Sequence, residues 1–295
     1  MDVSVVIRTF NEARYIGELL DGIFSQDTQG LEVEVILVDS GSTDETVAIV
    51  QKYPSKIVHI KKEEFTFGRS LNLGCEVASG KYLVFVSGHC VPASNSWLAN
   101  LVKPLADGTA VYTYGAQLGR DTTKFSEYQV FDKYFKPGSA SEQPKYFTNN
   151  ANSALLRSTW ENNKFNETIT GLEDMHLGQQ LVAISQTVAY ADNAPVYHIH
   201  DETWQQVRWR YEREALALQE IDPSLHMSRR DLVRCIVSSI LYDSREATRQ
   251  GKLLLHIREI IAFRTNQYWG SYQGSKTSRK ISDEMKRRYF YPDKK

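Results

Sequence analysis

The stretch VEVILVDSGSTDET, residues 33–46, runs from an apolar, β-branched segment into a turn of small and acidic residues. A continuous apolar run of this kind is typical of a strand buried on both faces of a parallel sheet. Asp39 ends the predicted strand, and a helical pattern begins at Thr46 with Asp44 as its candidate cap. The stretch therefore predicts a strand that leads directly into a helix.

The same alternation continues on both sides of this stretch. Strands are predicted at residues 3–8, 56–60 and 82–86, and helices at 12–25, 46–52 and 70–79. The order predicts an α/β fold with a Rossmann-like, mostly parallel central sheet and helices on both faces. In such sheets ligands bind outside the carboxyl ends of the strands.

Regularity is weaker after residue 92. A helix is expected at 97–105, strands at 110–117 and 187–190, an ordered segment at 148–157 and a helix that ends near 184. Residues 121–144 are aromatic and polar and give no assignable pattern, whereas helical periodicity dominates from about residue 204. We find no internal repeat and no low-complexity segment.

Composition excludes several classes of protein. Of the 295 residues, 41% are hydrophobic and 24% charged, which is ordinary for a globular protein. No run approaches the roughly 18 apolar residues of a membrane-spanning helix, and the start does not resemble a signal peptide. Cys75, Cys90 and Cys235 lack metal-site spacing, and their odd number argues against a disulfide framework. We therefore expect a cytoplasmic protein.

Charge is unevenly distributed along the chain. From Gln205 to the end there are 19 Lys and Arg against 11 Asp and Glu, about +8, so the first 204 residues carry about −9. We expect residues 216–295 to form a basic helical extension. It either contacts an anionic membrane surface or packs on the core or on a second copy in a homo-oligomer. Nucleic acid is not an expected partner, because the net charge is −1 and no recognition motif is present.

Polar residues follow three of the predicted strands. They are Thr9, Asn11 and Glu12 after the first strand, Asp39 and Ser40 after the second, and Ser87, Gly88 and His89 after the fourth. Because these ends share one edge of a parallel sheet, we expect them to line a common crevice. Asp39 is placed to accept hydrogen bonds from a base or ribose, and a role as a turn or helix cap is the alternative.

Several ordered blocks carry a family resemblance. They are VSVVIRTFNE at 3–12, VILVDSGSTDET at 35–46, EFTFGRSLNLG at 64–74, FNE at 165–167 and GLED at 171–174. Together they resemble family 2 inverting glycosyltransferases with the GT-A fold, of the bacterial type that builds surface polysaccharides. The resemblance covers roughly residues 3–215, so it implies a catalytic domain at 1–215, with a nucleotide-binding half at 1–92 and an acceptor half at 93–215.

The resemblance also implies roles for single residues. It maps the nucleoside contacts to Thr9, Glu12 and Asp39, and the catalytic base to Asp174, with Glu173 beside it. Further implied contacts to the donor are Asn11, Ser40, Arg69, Asn72, Ser87 and Gly88, and Asn150 lies on the acceptor side. From the residues alone, Glu173 and Asp174 are equally two acids in the first turn of a helix, favoured by its dipole.

His89 departs from the family pattern. Family members carry Asp-x-Asp or a single Asp at this strand end, where it binds the metal of the sugar diphosphate. The resemblance therefore implies a divalent cation, Mn²⁺ or Mg²⁺, and Mn²⁺ tolerates imidazole better. We expect His89 to bind the diphosphate or the metal, with His200 as a second ligand. The alternative is a metal-free site in which Arg69, Arg208 or Arg210 balances the charge.

QQVRW at 205–209 matches the Gln-x-x-Arg-Trp signature of processive family members such as cellulose and chitin synthases. The match places Arg208 near the diphosphate and Trp209 near the acceptor, although an amphipathic helix explains the same residues. Since those synthases need a spanning channel and no spanning segment is predicted, we expect one sugar to be transferred per acceptor.

The sequence thus predicts an inverting hexosyl- or deoxyhexosyltransferase that uses a nucleotide-sugar donor, most simply a UDP- or dTDP-sugar. Its predicted acceptor is a lipid-linked cell-surface glycan of a capsule, O-antigen or exopolysaccharide, reached at the inner face of the cell membrane. The alternative function is a catalytically silent nucleotide-sugar-binding module of a glycan assembly complex. A nucleotidyltransferase is disfavoured, because no Gly-rich basic loop follows the first strand to hold a triphosphate.

Overall fold

The computed structural model of the chain describes residues 1–276 and 289–290. Within these residues eight strands form one sheet: β1 (Val3–Thr9), β2 (Val33–Asp39), β3 (Ser55–His59), β4 (Tyr82–Ser87), β5 (Cys90–Pro92), β6 (Tyr112–Leu118), β7 (Asn152–Leu156) and β8 (Val188–His198). Their order is β3-β2-β1-β4-β7-β6-β8-β5. Strands β1 to β4 are parallel, whereas β7 is antiparallel to β4. The predicted fold class is therefore confirmed.

Helices connect and follow these strands. The α-helices of the described part are α1 (Ile16–Phe24), α2 (Thr46–Val50), α3 (Phe67–Val77), α4 (Trp97–Ala106), α5 (Phe125–Phe135), α6 (Arg157–Asn162), α7 (Glu173–Ala183), α8 (Trp204–Ile221), α9 (Arg229–Arg249) and α10 (Leu253–Gly274). Helix α1 begins four residues later than predicted, because Asn11 adopts a left-handed φ of 55° and residues 13–15 form a turn.

The strands alternate their side chains between two apolar layers. In β1, Val5 and Ile7 pack in one layer with α1 and α4, whereas Val6 packs in the other with α3 and α7. In β2, Leu37 and Val38 divide in the same way. Successive side chains of a strand point to opposite faces, so a sheet covered on both sides needs the continuous apolar runs seen in the sequence.

The chain divides into two compact units. The first comprises residues 1–120, 131–168 and 173–199, and the second comprises 121–130, 169–172 and 200–295. The predicted domain boundary at residue 215 falls inside α8 and stays a prediction. Residues 277–288 and 291–295 of the predicted extension lie outside the described part. Among the residues that are described, no helix is both long enough and apolar enough to cross a bilayer.

Candidate active site

The ends of β1 and β2 bring Thr9 and Asp39 together in register. The Thr9 hydroxyl lies 3.5 Å from an Asp39 carboxylate oxygen, and the carboxylate accepts the N–H groups of Gly41 at 3.0 Å and Ser42 at 3.1 Å. Asp39 is buried, so it fixes the turn that follows its strand. The turn role is therefore present in the structure, and the nucleoside contact stays a prediction.

Asn11 joins the loops that follow β1 and β2. Its N–H donates to the Ser42 hydroxyl at 2.9 Å, and its side-chain oxygen accepts the Thr43 N–H at 2.8 Å. Asparagine adopts the left-handed conformation of this position more readily than most residues. The buried Ser40 adds a bond from its hydroxyl to the Thr9 carbonyl at 3.2 Å. The two loops therefore form one connected edge of the predicted crevice.

The third strand end lies against the first. Ser87, the last residue of β4, is in register with Arg8. A Cβ atom at Gly88 would lie 2.9 Å from Glu12 Cγ and 2.9 Å from Thr9 Cγ2. Such distances are shorter than real Cβ contacts, so only glycine fits here without a shift of its neighbours. The structure therefore brings together the three strand ends that the sequence predicts to converge.

His89 belongs to a row of four hydrogen-bonded side chains. Its Nδ1 atom lies 2.9 Å from Glu12 Oε1, and its Nε2 atom lies 3.1 Å from Nε2 of His198. The Nδ1 atom of His198 lies 2.6 Å from Gln117 Oε1. If both Nδ1 atoms donate to the oxygens they contact, each ring presents Nε2 as an acceptor, and these two Nε2 atoms lie 3.1 Å apart.

Two Nε2 acceptors at this distance can share a proton or bind one metal ion. Metal-binding histidines commonly donate their other ring N–H to a carboxylate or an amide oxygen, as His89 and His198 do. Bonds of about 2.1 Å in octahedral geometry would separate adjacent ligand atoms by about 3.0 Å. The donor set therefore fits a divalent cation that accepts imidazole.

His200 lies in the second unit. Its Nδ1 atom contacts Glu127 Oε1 at 2.7 Å, and Arg210 pairs with both Glu127 and Glu202. Burial raises the pKa of Glu127, but Arg210 and His200 outweigh burial and hold it at about 2. Although ligand atoms of Glu127, His200 and Glu202 lie within 4.8 Å of one another, Arg210 already supplies the countercharge. The predicted pairing of His200 with His89 stays a prediction.

Asp174 lies in the first turn of α7 and is buried. Its two carboxylate oxygens accept the N–H groups of Asn150 and Met175, both at 2.7 Å. Burial, followed by the charge of Glu173, raises the pKa of Asp174 to about 7, against the lowering effect of these bonds and of Arg8. A carboxyl group that titrates near neutrality is suited to exchange protons with a substrate.

Glu173 is itself paired. Arg8 Nη1 lies 2.9 Å from Glu173 Oε1, and the Arg8 guanidinium stacks over the Phe67 ring at 4.9 Å. Arg8 therefore places a positive charge beside two buried acids. No sequence motif predicts a role for Arg8, because a single charge in an otherwise apolar strand carries no pattern.

Asn150 supports Asp174 through its backbone and its side chain. Its Oδ1 atom accepts the hydroxyls of Tyr112 at 2.6 Å and Ser153 at 2.7 Å. Its Nδ2 atom is buried and has no hydrogen-bond partner within the described residues. A buried N–H donor that makes no hydrogen bond is energetically costly. Asn150 therefore fits the predicted acceptor side, although that role stays a prediction.

Within the block at 64–74, Gly68, Arg69 and Asn72 lie in the first turns of α3, which contacts the segment at 165–167. Thr66 caps α3 by accepting the Arg69 N–H at 3.1 Å. The buried Asn72 donates to the Phe165 carbonyl and to Glu167, each at 2.9 Å, and Arg69 lies 3.4 Å from Glu167. In the structure these residues hold α3 against the segment at 165–167. Their contact with the donor stays a prediction.

The Gln-x-x-Arg-Trp segment forms the first turns of α8 in the second unit. Thr203 and Gln206 form a capping box that starts the helix. Arg208 donates to Gln273 Oε1 through Nε at 3.0 Å and stacks over Trp269 at 5.6 Å. Half-buried Trp209 follows it in the helix. The roles of Arg208 and Trp209 toward diphosphate and acceptor stay predictions.

Comparison with known proteins assigns the family. The family model described as Glycosyl transferase family 2 matches residues 4–162, which is more than half of the chain. The chain belongs to glycosyl transferase family 2. The family resemblance predicted from the motifs is thereby confirmed at this level.

Two relatives from bacteria are named as glycosyltransferases. Poly(ribitol-phosphate) beta-N-acetylglucosaminyltransferase TarS of Staphylococcus aureus is 36% identical over 91 residues, which cover 29% of this chain and 16% of TarS. The chain thus matches only a small part of TarS. The O-antigen chain rhamnosyltransferase RfbN of Salmonella typhimurium is 25% identical over 223 residues, which cover 72% of this chain and 70% of RfbN.

A solved structure supports the fold. Mannosyltransferase PcManGT from Pyrobaculum calidifontis, in complex with GDP-Man and Mn²⁺, superposes with a TM-score of 0.65 and 18% identity. The superposition covers 92% of this chain and 86% of that one. This member of glycosyl transferase family 2 therefore has the GT-A-like α/β fold, with helices at its C-terminal end.

Proposed function

We propose that this glycosyltransferase moves one hexose or deoxyhexose, with inversion, from a UDP- or dTDP-sugar to a cell-surface glycan. The observation that carries the proposal is Asp174, a buried carboxyl group oriented by two N–H groups and with its pKa raised to about 7. A base with a pKa near the working pH is present in its deprotonated form and is still basic enough to take a proton.

In this proposal a single displacement accounts for inversion. Asp174 accepts the proton of the acceptor hydroxyl while the hydroxyl oxygen attacks the anomeric carbon. The bond from that carbon to the diphosphate oxygen breaks on the opposite side, and both electrons leave with the nucleoside diphosphate. One base suffices for this reaction, since no covalent glycosyl intermediate is formed. Glu173 and Arg8 set the charge around the base.

The proposal assigns the divalent cation to His89 and His198, with the predicted ligand His200 retained as a further candidate. A bound ion would offset the negative charge that develops on the leaving diphosphate. Mn²⁺ is favoured over Mg²⁺ because imidazole nitrogen is a better ligand for Mn²⁺. Glu12 and Gln117 would hold the two rings in the tautomer that presents Nε2.

The names of TarS and RfbN support a bacterial glycan as the acceptor. The proposal extends this to a lipid-linked glycan of the cell envelope, met by an enzyme on the cytoplasmic side of the membrane. It also retains Thr9 and Asp39 for the nucleoside and Arg208 for the diphosphate.

The test compares the unmodified protein with Asp174→Asn. A thermal-shift screen of UDP-, dTDP-, GDP- and CMP-sugars, each with Mn²⁺, Mg²⁺ or EDTA, first identifies the donor. Transfer and donor hydrolysis are then measured with that donor. We expect Asp174→Asn to retain the nucleotide-induced shift and to lose at least a hundredfold in turnover, in line with general base catalysis. Unchanged turnover would refute the role of Asp174, and binding without any turnover in the unmodified protein would favour the silent module.

A further inference from the structure

Helix α9, in the second unit, exposes one continuous face to solvent. The α9 face consists of Arg230, Val233, Arg234, Val237, Leu241 and Arg245. Because these positions recur every three or four residues, they lie on the same side of the helix. Val233 is 60% exposed, Val237 50% and Leu241 52%. Apolar side chains are thus interleaved with arginines along the whole helix.

The opposite side of α9 already makes the packing contacts of the helix. Leu232, Asp243 and Ala247 are buried there. Arg264 of α10 binds the Asp243 carboxylate through two bonds of 2.7 Å and 2.8 Å, and the Ser126 hydroxyl donates to it at 2.6 Å. The helix is therefore anchored without help from the α9 face, and the exposed Val and Leu side chains have no role in that packing.

The charge of the α9 face is of one sign. Each acidic residue of α9 is engaged outside that face: Asp231 with Ser228, Asp243 with Arg264, and Glu246 with Arg249. The face itself carries three arginines and no acid. The start of α10 repeats the combination, since its cap residue Lys252 is exposed and Leu254 and Leu255 are 93% and 74% exposed. A partner of this surface must accept both positive charge and aliphatic side chains.

We propose that the α9 face docks on an anionic lipid bilayer, with α9 lying in the plane of the membrane surface. Lipid phosphates would pair with the arginines, while Val233, Val237 and Leu241 enter the boundary between headgroups and acyl chains. A soluble polyanion pairs with arginine but gains nothing from exposed Val and Leu. A second copy placed face to face would set arginine against arginine. An anionic bilayer satisfies both chemistries.

The test measures co-sedimentation of the full chain with vesicles. Phosphatidylglycerol vesicles are expected to bind the protein, and pure phosphatidylcholine vesicles are not. The triple variant Arg230→Gln, Arg234→Gln, Arg245→Gln should bind about a hundredfold more weakly, since each basic residue contributes about fivefold near an anionic surface. Val237→Ser should weaken binding without any change of charge.

A matched control removes the same charge elsewhere. Lys52, Lys136 and Lys145 are exposed lysines of the first unit, and their triple change to Gln should leave vesicle binding within about twofold. Equal binding by both triple variants, or binding to phosphatidylcholine alone, overturns the proposal. Two further results overturn the proposal if vesicles bind neither the unmodified protein nor the Arg triple variant. One is self-association in sedimentation velocity that the Arg triple variant abolishes, and the other is binding to soluble polyphosphate that this variant abolishes. Vesicle binding involves no sugar transfer, so this proposal can fail while the proposed function stands.

Discussion

At the residue scale, the ion pair between Arg8 and Glu173 sets the charge beside Asp174. Burial and the charge of Glu173 raise the pKa of Asp174, and Arg8 lowers it. Arg8→Met should therefore raise this pKa above about 7, and Glu173→Gln should lower it. Because only the deprotonated base accepts a proton, activity is lost as pH falls through this pKa. The acid limb of the pH–rate profile should move to higher pH in the first variant and to lower pH in the second.

The readout is the pH dependence of kcat/KM with a saturating metal concentration. Arg8→Met leaves a buried Glu173 without its cation, at a cost of about 3–5 kcal/mol, so the double variant Arg8→Met, Glu173→Gln serves as the folded control. Shifts of the two single variants in the same direction would contradict the assignment.

The row from Glu12 to Gln117 gives a second prediction at this scale. Gln117→Leu removes the acceptor of His198 Nδ1 without touching either Nε2 atom. We expect Mn²⁺ affinity, measured by electron paramagnetic resonance of free Mn²⁺, to fall about 10- to 100-fold, as for other partners of metal-binding histidines. His89→Ala and His198→Ala should abolish binding. His226→Ala, at an exposed loop position, is the control, and Mn²⁺ binding that survives both His→Ala changes rules the site out.

At the element scale, the approach of β1 to β4 depends on Gly88. Gly88→Ala places a Cβ atom 2.9 Å from Glu12 Cγ and 2.9 Å from Thr9 Cγ2, so Glu12 must move away from His89. We expect a loss of about 1–3 kcal/mol in the free energy of unfolding and a weaker Mn²⁺-induced thermal shift. Gly17→Ala, inside α1, is the matched control, because its Cβ would lie at an ordinary distance of 3.6 Å from Ile49 Cγ2. It should be neutral or stabilising by up to about 1 kcal/mol, and equal losses in both variants would argue against the role of Gly88.

The sequence predicts best the strands and helices whose own residues form a recognisable hydrophobic pattern. Strands β1, β2 and β4 are buried on both faces, so their continuous apolar runs identify them without any partner. Strand β8 was predicted at 187–190 but extends to His198, because it pairs with β6 and β5 again after a register shift that leaves residues 192–195 without register partners. Strand β5 has three residues and no detectable period. The sequence pattern therefore does not predict which distant segments pair as neighbouring strands.

The same limit explains why the sequence singles out His89 but not its neighbour His198. Motif position and residue type were enough to single out His89 and Asp174. The sequence motifs assign no role to His198, whereas the antiparallel register of Cys90 with His198 places it next to His89. Arg8 was missed because its partner Glu173 lies 165 residues away. Charge complementarity across the fold has no signature in a single sequence.

At the scale of the whole molecule, the second unit has its own buried electrostatic anchor. Asp243 is fully buried against Arg264, which offers two bonds, and against Ser126. Removing one partner of such a pair leaves an uncompensated charge, at a cost of about 3–5 kcal/mol. Asp243→Ala should therefore lower the free energy of unfolding by this amount, and hydrogen exchange should show the loss of protection in α9 and α10.

A second pair on the same helix provides the comparison. Arg249 and Glu246 are 3.4 Å apart, with side chains 80% and 29% exposed, and such solvated pairs contribute at most about 1 kcal/mol. Glu246→Gln should leave stability and exchange nearly unchanged. The apolar double variant Asp243→Leu, Arg264→Met should recover most of the loss, since it removes both charges together. If Asp243→Ala costs no more than Glu246→Gln, the buried pair does not hold α9 against α10, and helix α9 is held by apolar packing alone.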